Sequence, residues 1–244
     1  MARSAIGAAC AALCLAACLR PEQADGEGAC VPAGYKLVYS EDFSEPGSLG
    51  AWTFSDPTDW RWNGDGGVGS VELVGGGAYA PPHRSPRHIA LIEELLVEDF
   101  VLEADLLQTG RQYGHRDLCL FFGFVSPVRY YYCHLAPAPD PRAHNAFLVH
   151  DAPRRNLADV MEAGVDWGEG VWHRVRLERR ASQGDIRVFF DGSEAPTIVA
   201  SDATLGWGRV GFGSFDDTGR IARVRIWAPA AREADSGVPA PWRP

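Results

Sequence analysis

The chain predicts an all-β fold, a two-sheet antiparallel β-sandwich, and three observations carry that expectation. Short apolar runs are separated by turn residues along its whole length, with 27 glycines and 17 prolines spread through 244 residues. Polar and apolar residues alternate in Val171-Trp172-His173-Arg174-Val175-Arg176-Leu177-Glu178. Val171, His173, Val175 and Leu177 share one face there, and Arg174, Arg176 and Glu178 the other, as in a strand with one buried and one wet side. Ile186, Val188 and Phe190 repeat the pattern before Asp191-Gly192, which supplies the positive φ of a tight reversal. No internal repeat of about 20–50 residues is visible, which disfavours a propeller or solenoid.

The chain opens with a short basic start, Met1-Ala2-Arg3, and an apolar run from Ala5 to Ala17 that is too short to span a bilayer. It then turns polar at Arg20-Pro21-Glu22, so residues 1–17 are expected to be a secretion signal. Leu15-Ala16-Ala17-Cys18 resembles the lipobox of bacterial lipoproteins. That resemblance implies cleavage before Cys18, lipid on its thiol, export across the inner membrane and an anchor at the cell envelope or surface. An ordinary signal peptide containing Cys10, Cys14 and Cys18 is the alternative. Residues 18–34 read as a tether, 35–228 as one domain and 229–244 as a Pro/Ala-rich tail outside the core. With Cys10 and Cys14 lost and Cys18 lipidated, Cys30, Cys119 and Cys133 remain, enough for one disulfide at most.

Strands are expected near 36–42, 69–74, 88–93, 98–108, 117–125, 130–135, 146–150, 171–179, 185–190, 197–200, 208–215 and 221–227. Only Leu157 to Ala163 hints at a helical turn. Hydrophobic residues make up 46% and charged residues 23%, a globular balance. The formal charge is −9, only Lys36 among the 23 basic residues is lysine, and no block of like charge occurs. Nucleic acid is therefore not an expected partner, and any polyanion-binding surface has to be local. No zinc-type Cys/His spacing, glycine-rich phosphate loop or Gly-x-Ser-x-Gly elbow is present, which disfavours nucleotide, flavin and serine-hydrolase chemistry. No cofactor is expected, although the carboxylates of Ser214-Phe215-Asp216-Asp217-Thr218-Gly219 leave calcium open beside the simpler reading of an Asp-rich turn.

Several segments carry a family resemblance. Trp172 to Leu177, Gly184 to Gly192 and Gly208-Arg209-Val210-Gly211-Phe212-Gly213-Ser214 are similar to the last strands of the concanavalin A-like lectin/glucanase superfamily. Tyr39-Ser40-Glu41-Asp42-Phe43, Trp52 and Asp59-Trp60-Arg61 are similar to its first strands. The resemblance spans roughly residues 36–227 and reaches the laminin-G-like jelly rolls and the 3-keto-disaccharide hydrolase domain. It implies a jelly roll whose concave sheet face holds a polysaccharide or oligosaccharide. The retaining glucanases of that superfamily carry Glu-x-Asp-x-x-Glu on a strand. Here the match is Glu103-Ala104-Asp105-Leu106-Leu107-Gln108, which lacks the final glutamate, so Glu103 and Asp105 are expected to be solvent-facing.

The densest chemistry lies between Gln112 and Arg155, where four of the seven histidines fall. With Ser126-Pro127-Val128-Arg129 as a turn, Val125 faces Tyr130, Gly123 faces Tyr132 and Phe121 faces His134. Leu118, Leu120, Phe122, Phe124, Tyr131, Cys133 and Leu135 then form a core face. Asp117, Cys119, Phe121, Gly123, Val125, Tyr130, Tyr132 and His134 form the other, a half-exposed surface of rings and polar groups suited to sugars. Cys119 and Cys133 fall on opposite faces and should not be bonded to each other.

The expected catalytic set is His134 and Tyr132 for proton transfer, with Asn145 and Arg154 polarising the substrate, as in polysaccharide lyases built on related jelly rolls. Tyr130, Asp117, His115, Arg116 and His88 are expected to bind substrate. The function expected is an extracytoplasmic protein that binds and cleaves a polysaccharide, by hydrolysis or elimination. The alternatives are a noncatalytic lectin-like module and a structural cell-envelope lipoprotein.

Overall fold

The computed structural model describes residues 31–161, 163–234 and 242, so the expected leader, Cys18 and Cys30 lie outside the described residues. In chain order the first nine strands are β1 Lys36–Glu41, β2 Trp52–Phe54, β3 Trp60–Asn63, β4 Ser70–Leu73, β5 His88–Ile92, β6 Leu95–Leu96, β7 Phe100–Gln108, β8 Leu118–Ser126 and β9 Arg129–Leu135. The next nine are β10 Asn145–His150, β11 Arg155–Asn156, β12 Ala158–Val160, β13 Trp172–Arg180, β14 Asp185–Phe190, β15 Ile198–Ser201, β16 Arg209–Ser214, β17 Gly219–Ala228 and β18 Arg232–Glu233. A nine-stranded sheet runs β12-β15-β14-β13-β7-β17-β4-β3, with β1 also on β17. A seven-stranded sheet runs β11-β10-β9-β8-β16-β5-β2, and β18 pairs with β6 in a short ribbon. Every strand pair is antiparallel, and the fold is a jelly-roll sandwich of the expected class.

Alternation builds the layer between the sheets. Strand β13 buries His173, Val175, Leu177 and Arg179 and leaves the residues between them part-exposed. Leu102, Ala104 and Leu106 of β7 meet Leu118, Leu120, Phe122, Tyr131, Cys133 and Leu135 of the facing sheet in one apolar cluster. Burying each such side chain is worth about 1.5–3 kcal/mol, the main favourable contribution to the fold. Arg179 lies among them at 2% exposure, its guanidinium donating to the carbonyls of Gly184, Asp202 and Leu205 at 3.0, 2.8 and 3.1 Å.

The register of the β8–β9 hairpin is partly the predicted one. Ser126 pairs with Arg129 across the two-residue reversal at Pro127-Val128. A bulge then lies between Phe122 and Ser126, and beyond it Phe121 faces Tyr132 and Cys119 faces His134, not the pairs expected. Gly123 turns the chain there with a φ of 54°. The shift is two residues, so parity survives and the faces stand, except at Phe124, which joins the outer cluster instead of the core. Cys119 and Cys133 are both free and buried on opposite faces.

Two further expectations are corrected. Ala158–Val160, placed within a helical turn, is an edge strand against Ile198–Ser201, because the short apolar residues there pair with β15 before a turn can close. Glu103 and Asp105 do sit on the outer face of the nine-stranded sheet but are only 6% exposed. Arg174 and Arg223 hold Asp105 at 3.3 and 3.1 Å, and arginine stems cover the strand where water was expected. The segment after residue 228 contributes strand β18 and the indole of Trp242, which packs on the outer aromatic cluster and not on the inter-sheet core.

Candidate functional site

The outward face of the seven-stranded sheet is organised in cross-strand rows. One row reads Leu91, Gly211, Phe121, Tyr132 and Phe147, and the next reads Ile89, Gly213, Cys119, His134 and Asn145. A third brings Tyr130 beside Val149, with Phe124 stacked on Tyr130. Glycines in β16 leave the middle of the face without side chains, so the rings of β8 lie across it. Ring centroids are 5.8 Å apart for Phe121 and Tyr132, 4.9 Å for Tyr132 and Phe147, and 4.8 Å for Phe124 and Tyr130. Stacked pairs of this kind add about 0.5–1.5 kcal/mol each beyond area burial.

This face is closed, where the sequence suggested an open one. Tyr130 and Tyr132 are 0% exposed, Asn145 0% and His134 3%. Phe215 covers Tyr132 and His134, with centroids 6.2 and 5.6 Å away, while Trp242 caps Phe124 and Tyr79 packs edge-on against Trp242. The segment carrying Tyr79 is held at its base. Asp59 and Asp56 accept from the backbone of Gly77 and Ala78, and His88 Nδ1 is 2.8 Å from Asp59.

Arg154 is the group that reaches the surface from this assembly. It donates to the Tyr132 hydroxyl at 2.7 Å and to the Arg142 carbonyl at 3.1 Å. Its guanidinium carbon lies 4.5 Å from the Phe147 ring centre and 4.7 Å from that of Phe215. It has no ion-pair partner among the described residues. A half-buried cation between two aromatic faces has lost water and gained no counter-charge, so an arriving anion would be strongly favoured.

Beneath Arg154, Asp117, Cys119 and His134 each present one ligand atom, all within 4.8 Å of one another. Asp117 accepts from Ser214 Oγ at 2.9 Å, from Cys119 Sγ at 3.1 Å and from the Phe215 amide at 3.2 Å, while His134 Nε2 stands 3.7 Å away. His134 Nδ1 accepts the backbone N–H of His144 at 3.2 Å, so the imidazole proton belongs on Nε2, the nitrogen facing the other two groups. A metal at that position needs Nε2 bare. The hydrogen bonds fit a neutral, mutually packed trio better than a metal centre. Burial, then the charge of Arg154, brings His134 down to about 3. Burial pushes the Asp117 carboxyl and the Cys119 thiol up, with the charge of Asp217 adding to the first and that of Asp117 to the second. Burial also raises Tyr132, against the pull of Arg154.

The expected site residues thus divide. Tyr130, Tyr132, His134, Asn145, Asp117 and Arg154 belong to one assembly. Asn145, however, turns to the edge, accepting from the Ala158 amide at 3.1 Å and donating to Met161 Sδ at 2.9 Å. His115 is on the rim, exposed, 2.7 Å from Asp140. Arg116 and His88 are elsewhere, a correction to their place among the substrate binders. Arg116 is 3% exposed, bonded to the carbonyls of Gly110 and Gly168, and has the parity of Leu118, toward the other sheet. His88 has the parity of Ala90, also inward. Gln108, the position of the missing glutamate, is 2% exposed and donates to the Asp117 carbonyl. The two carboxylates considered for calcium diverge, since Asp216 pairs with Arg87 while Asp217 accepts from the Tyr113 hydroxyl and the Asp117 amide. Phe147 and Phe215, the two rings that hold Arg154, were missed. The parity of Asn145, Phe147 and Val149 on one strand was the available signal for the first, whereas Phe215 lies just past a strand end and had none.

No known family profile and no curated protein sequence matches the chain. Similar solved structures exist. A Bacillus subtilis protein of unknown function with a galectin-like fold superposes with a TM-score of 0.53 at 14% identity, over 81% of this chain and 99% of that one. The carbohydrate recognition domain of Emp47p gives 0.53 at 11% identity, over 83% and 99%. Domain 4 of AbnA, a GH43 extracellular arabinanase from Geobacillus stearothermophilus in complex with arabinotriose, gives 0.50 at 10% identity, over 81% and 94%. At these identities the likeness establishes a shared jelly-roll β-sandwich fold and nothing finer.

Proposed function

We propose that this protein binds an oligosaccharide containing an acidic sugar, and that Arg154 reads its carboxylate. The observation that carries the proposal is the guanidinium of Arg154, without an ion-pair partner among the described residues and clamped between Phe147 and Phe215 at the surface end of a stacked aromatic face. An acidic pyranose matches such a place, with its carboxylate on the guanidinium and its C–H face on a ring. The carbohydrate-binding structures that share the fold support the substrate class.

Recognition is favoured over cleavage. Elimination or hydrolysis through His134 and Tyr132 requires both to reach a substrate, and their 3% and 0% exposure argues against it. His134 is further held neutral, and the Tyr132 hydroxyl is taken by Arg154. The reading places the protein outside the cytoplasm, tethered through lipid on Cys18, which metabolic labelling with a fatty acid and loss of label in Cys18→Ala would check.

Calorimetry with matched neutral and uronate oligosaccharides tests the function. Uronate chains are expected to bind, and Arg154→Gln to weaken them about ten- to a hundred-fold, the worth of a charged hydrogen-bond pair. Equal affinity for neutral chains with no effect of the substitution would remove the proposal. New reducing ends or unsaturated product in the same samples would restore the cleavage reading.

A further inference from the structure

We infer that the indole of Trp242 fills a ring-binding subsite next to the Arg154 position and yields it to a neutral sugar ring of the bound glycan. The inference rests on the glycan-binding reading above and adds to it a second subsite and its resident occupant.

The rings between the two positions are continuous. From Arg154 over Phe147, neighbouring centroids run from Phe147 to Tyr132 at 4.9 Å, Tyr132 to Tyr130 at 6.2 Å, Tyr130 to Phe124 at 4.8 Å and Phe124 to Trp242 at 5.5 Å. Tyr79 closes the far side, 5.2 Å from Trp242 and nearly perpendicular to it, at 74°. A saccharide held by its acidic residue at Arg154 therefore has a second aromatic surface on the same sheet face.

The indole fits this box by shape but not by hydrogen bonding. Its Nε1–H is buried with no hydrogen-bond partner among the described residues, and the buried Tyr130 hydroxyl meets only the Ser85 side chain. Most buried polar groups in folded proteins are satisfied, so an unmet N–H beside a barely satisfied hydroxyl in one apolar box marks a place that suits an occupant with polar edges. A pyranose has both parts, a C–H face for Phe124 or Tyr79 and hydroxyls for Tyr130. Trp242 belongs to the outer cluster and contributes nothing to the inter-sheet core, so its removal leaves the sandwich intact.

An internal occupant lowers apparent affinity by the fraction of molecules in which the subsite is free. Trp242→Ala in the full chain should bind a uronate-containing tetrasaccharide about ten-fold more tightly than wild type, with a smaller gain for a uronate monosaccharide confined to Arg154. Free indole should raise the melting temperature of Trp242→Ala and leave wild type unmoved, since an apolar cavity of that shape takes back its occupant. A urea transition of unchanged slope verifies that the variant is folded. Failure of indole to bind Trp242→Ala overturns the subsite. Tetrasaccharide affinity that is equal or lower in the variant overturns displacement and makes the indole a wall of the site. Indole binding without any glycan binding in either protein keeps the subsite and removes the glycan reading alone.

Discussion

His134 gives the sharpest quantitative test of the buried trio. Its ring is 3% exposed, accepts the His144 amide on Nδ1, and lies under Phe215 at 5.6 Å. Burial, then the charge of Arg154, moves its titration from 6.5 down to about 3. The unfolded chain therefore takes up a proton below 6.5 that the native state refuses. Stability from this group is complete above pH 6.5 and is lost as pH falls from there toward 3. Each pH unit is worth about 1.4 kcal/mol, so at pH 4.5 the loss approaches ~2.7 kcal/mol. His134→Gln removes the proton uptake while its amide oxygen can still accept the His144 N–H. Asp117, raised by burial, acts with the opposite sign, its stability being lost as pH rises, but it is present in both proteins and drops out of their difference. Urea denaturation of both proteins from pH 7.5 to 4.5 should show the wild-type advantage shrinking by about 2–3 kcal/mol. A difference that does not change with pH, or an imidazole resonance of His134 titrating near its ordinary value, would refute the reasoning.

Three other outcomes follow from the geometry. Gly123→Ala places a Cβ 3.1 Å from Tyr131 Cδ2 at a φ of 54°, and should cost about 1–2 kcal/mol, read as a fall of a few degrees in melting temperature; an unchanged transition would contradict the bulge. Arg179→Met strands the carbonyls of Gly184, Asp202 and Leu205 and should cost about 3 kcal/mol or more in chemical denaturation, whereas a neutral result would mean that those loops are held otherwise. Cys119 and Cys133 should resist iodoacetamide in the native state and both be alkylated in denaturant, as mass spectrometry of tryptic peptides would show; native labelling of either would contradict its burial.

Much of this fold is legible along the chain because a strand writes its orientation into a period of two. Val175 and Leu177 point inward and Arg174 and Arg176 outward whatever the neighbours are, and the same parity separates Cys119 from Cys133. Strands shorter than about four residues escape that signal, since two or three positions contain no pattern to count. Trp52–Phe54, Leu95–Leu96 and Ala158–Val160 are of this kind, each defined by the strand it pairs with.

The sequence by itself determined the sandwich, the parity of the hairpin and the gathering of Tyr130, Tyr132, His134 and Asp117 on one side of a sheet, because those depend on neighbours along a strand and one turn. Only the tertiary structure decided that this side is covered. Tyr79, Phe215 and Trp242 arrive from distant parts of the chain, and alternation says which way a side chain points, never what lands on it. That covering buried the expected proton carriers, His134 and Tyr132. It left Arg154, pinned between two rings and without an ion-pair partner among the described residues, as the group proposed to meet a ligand.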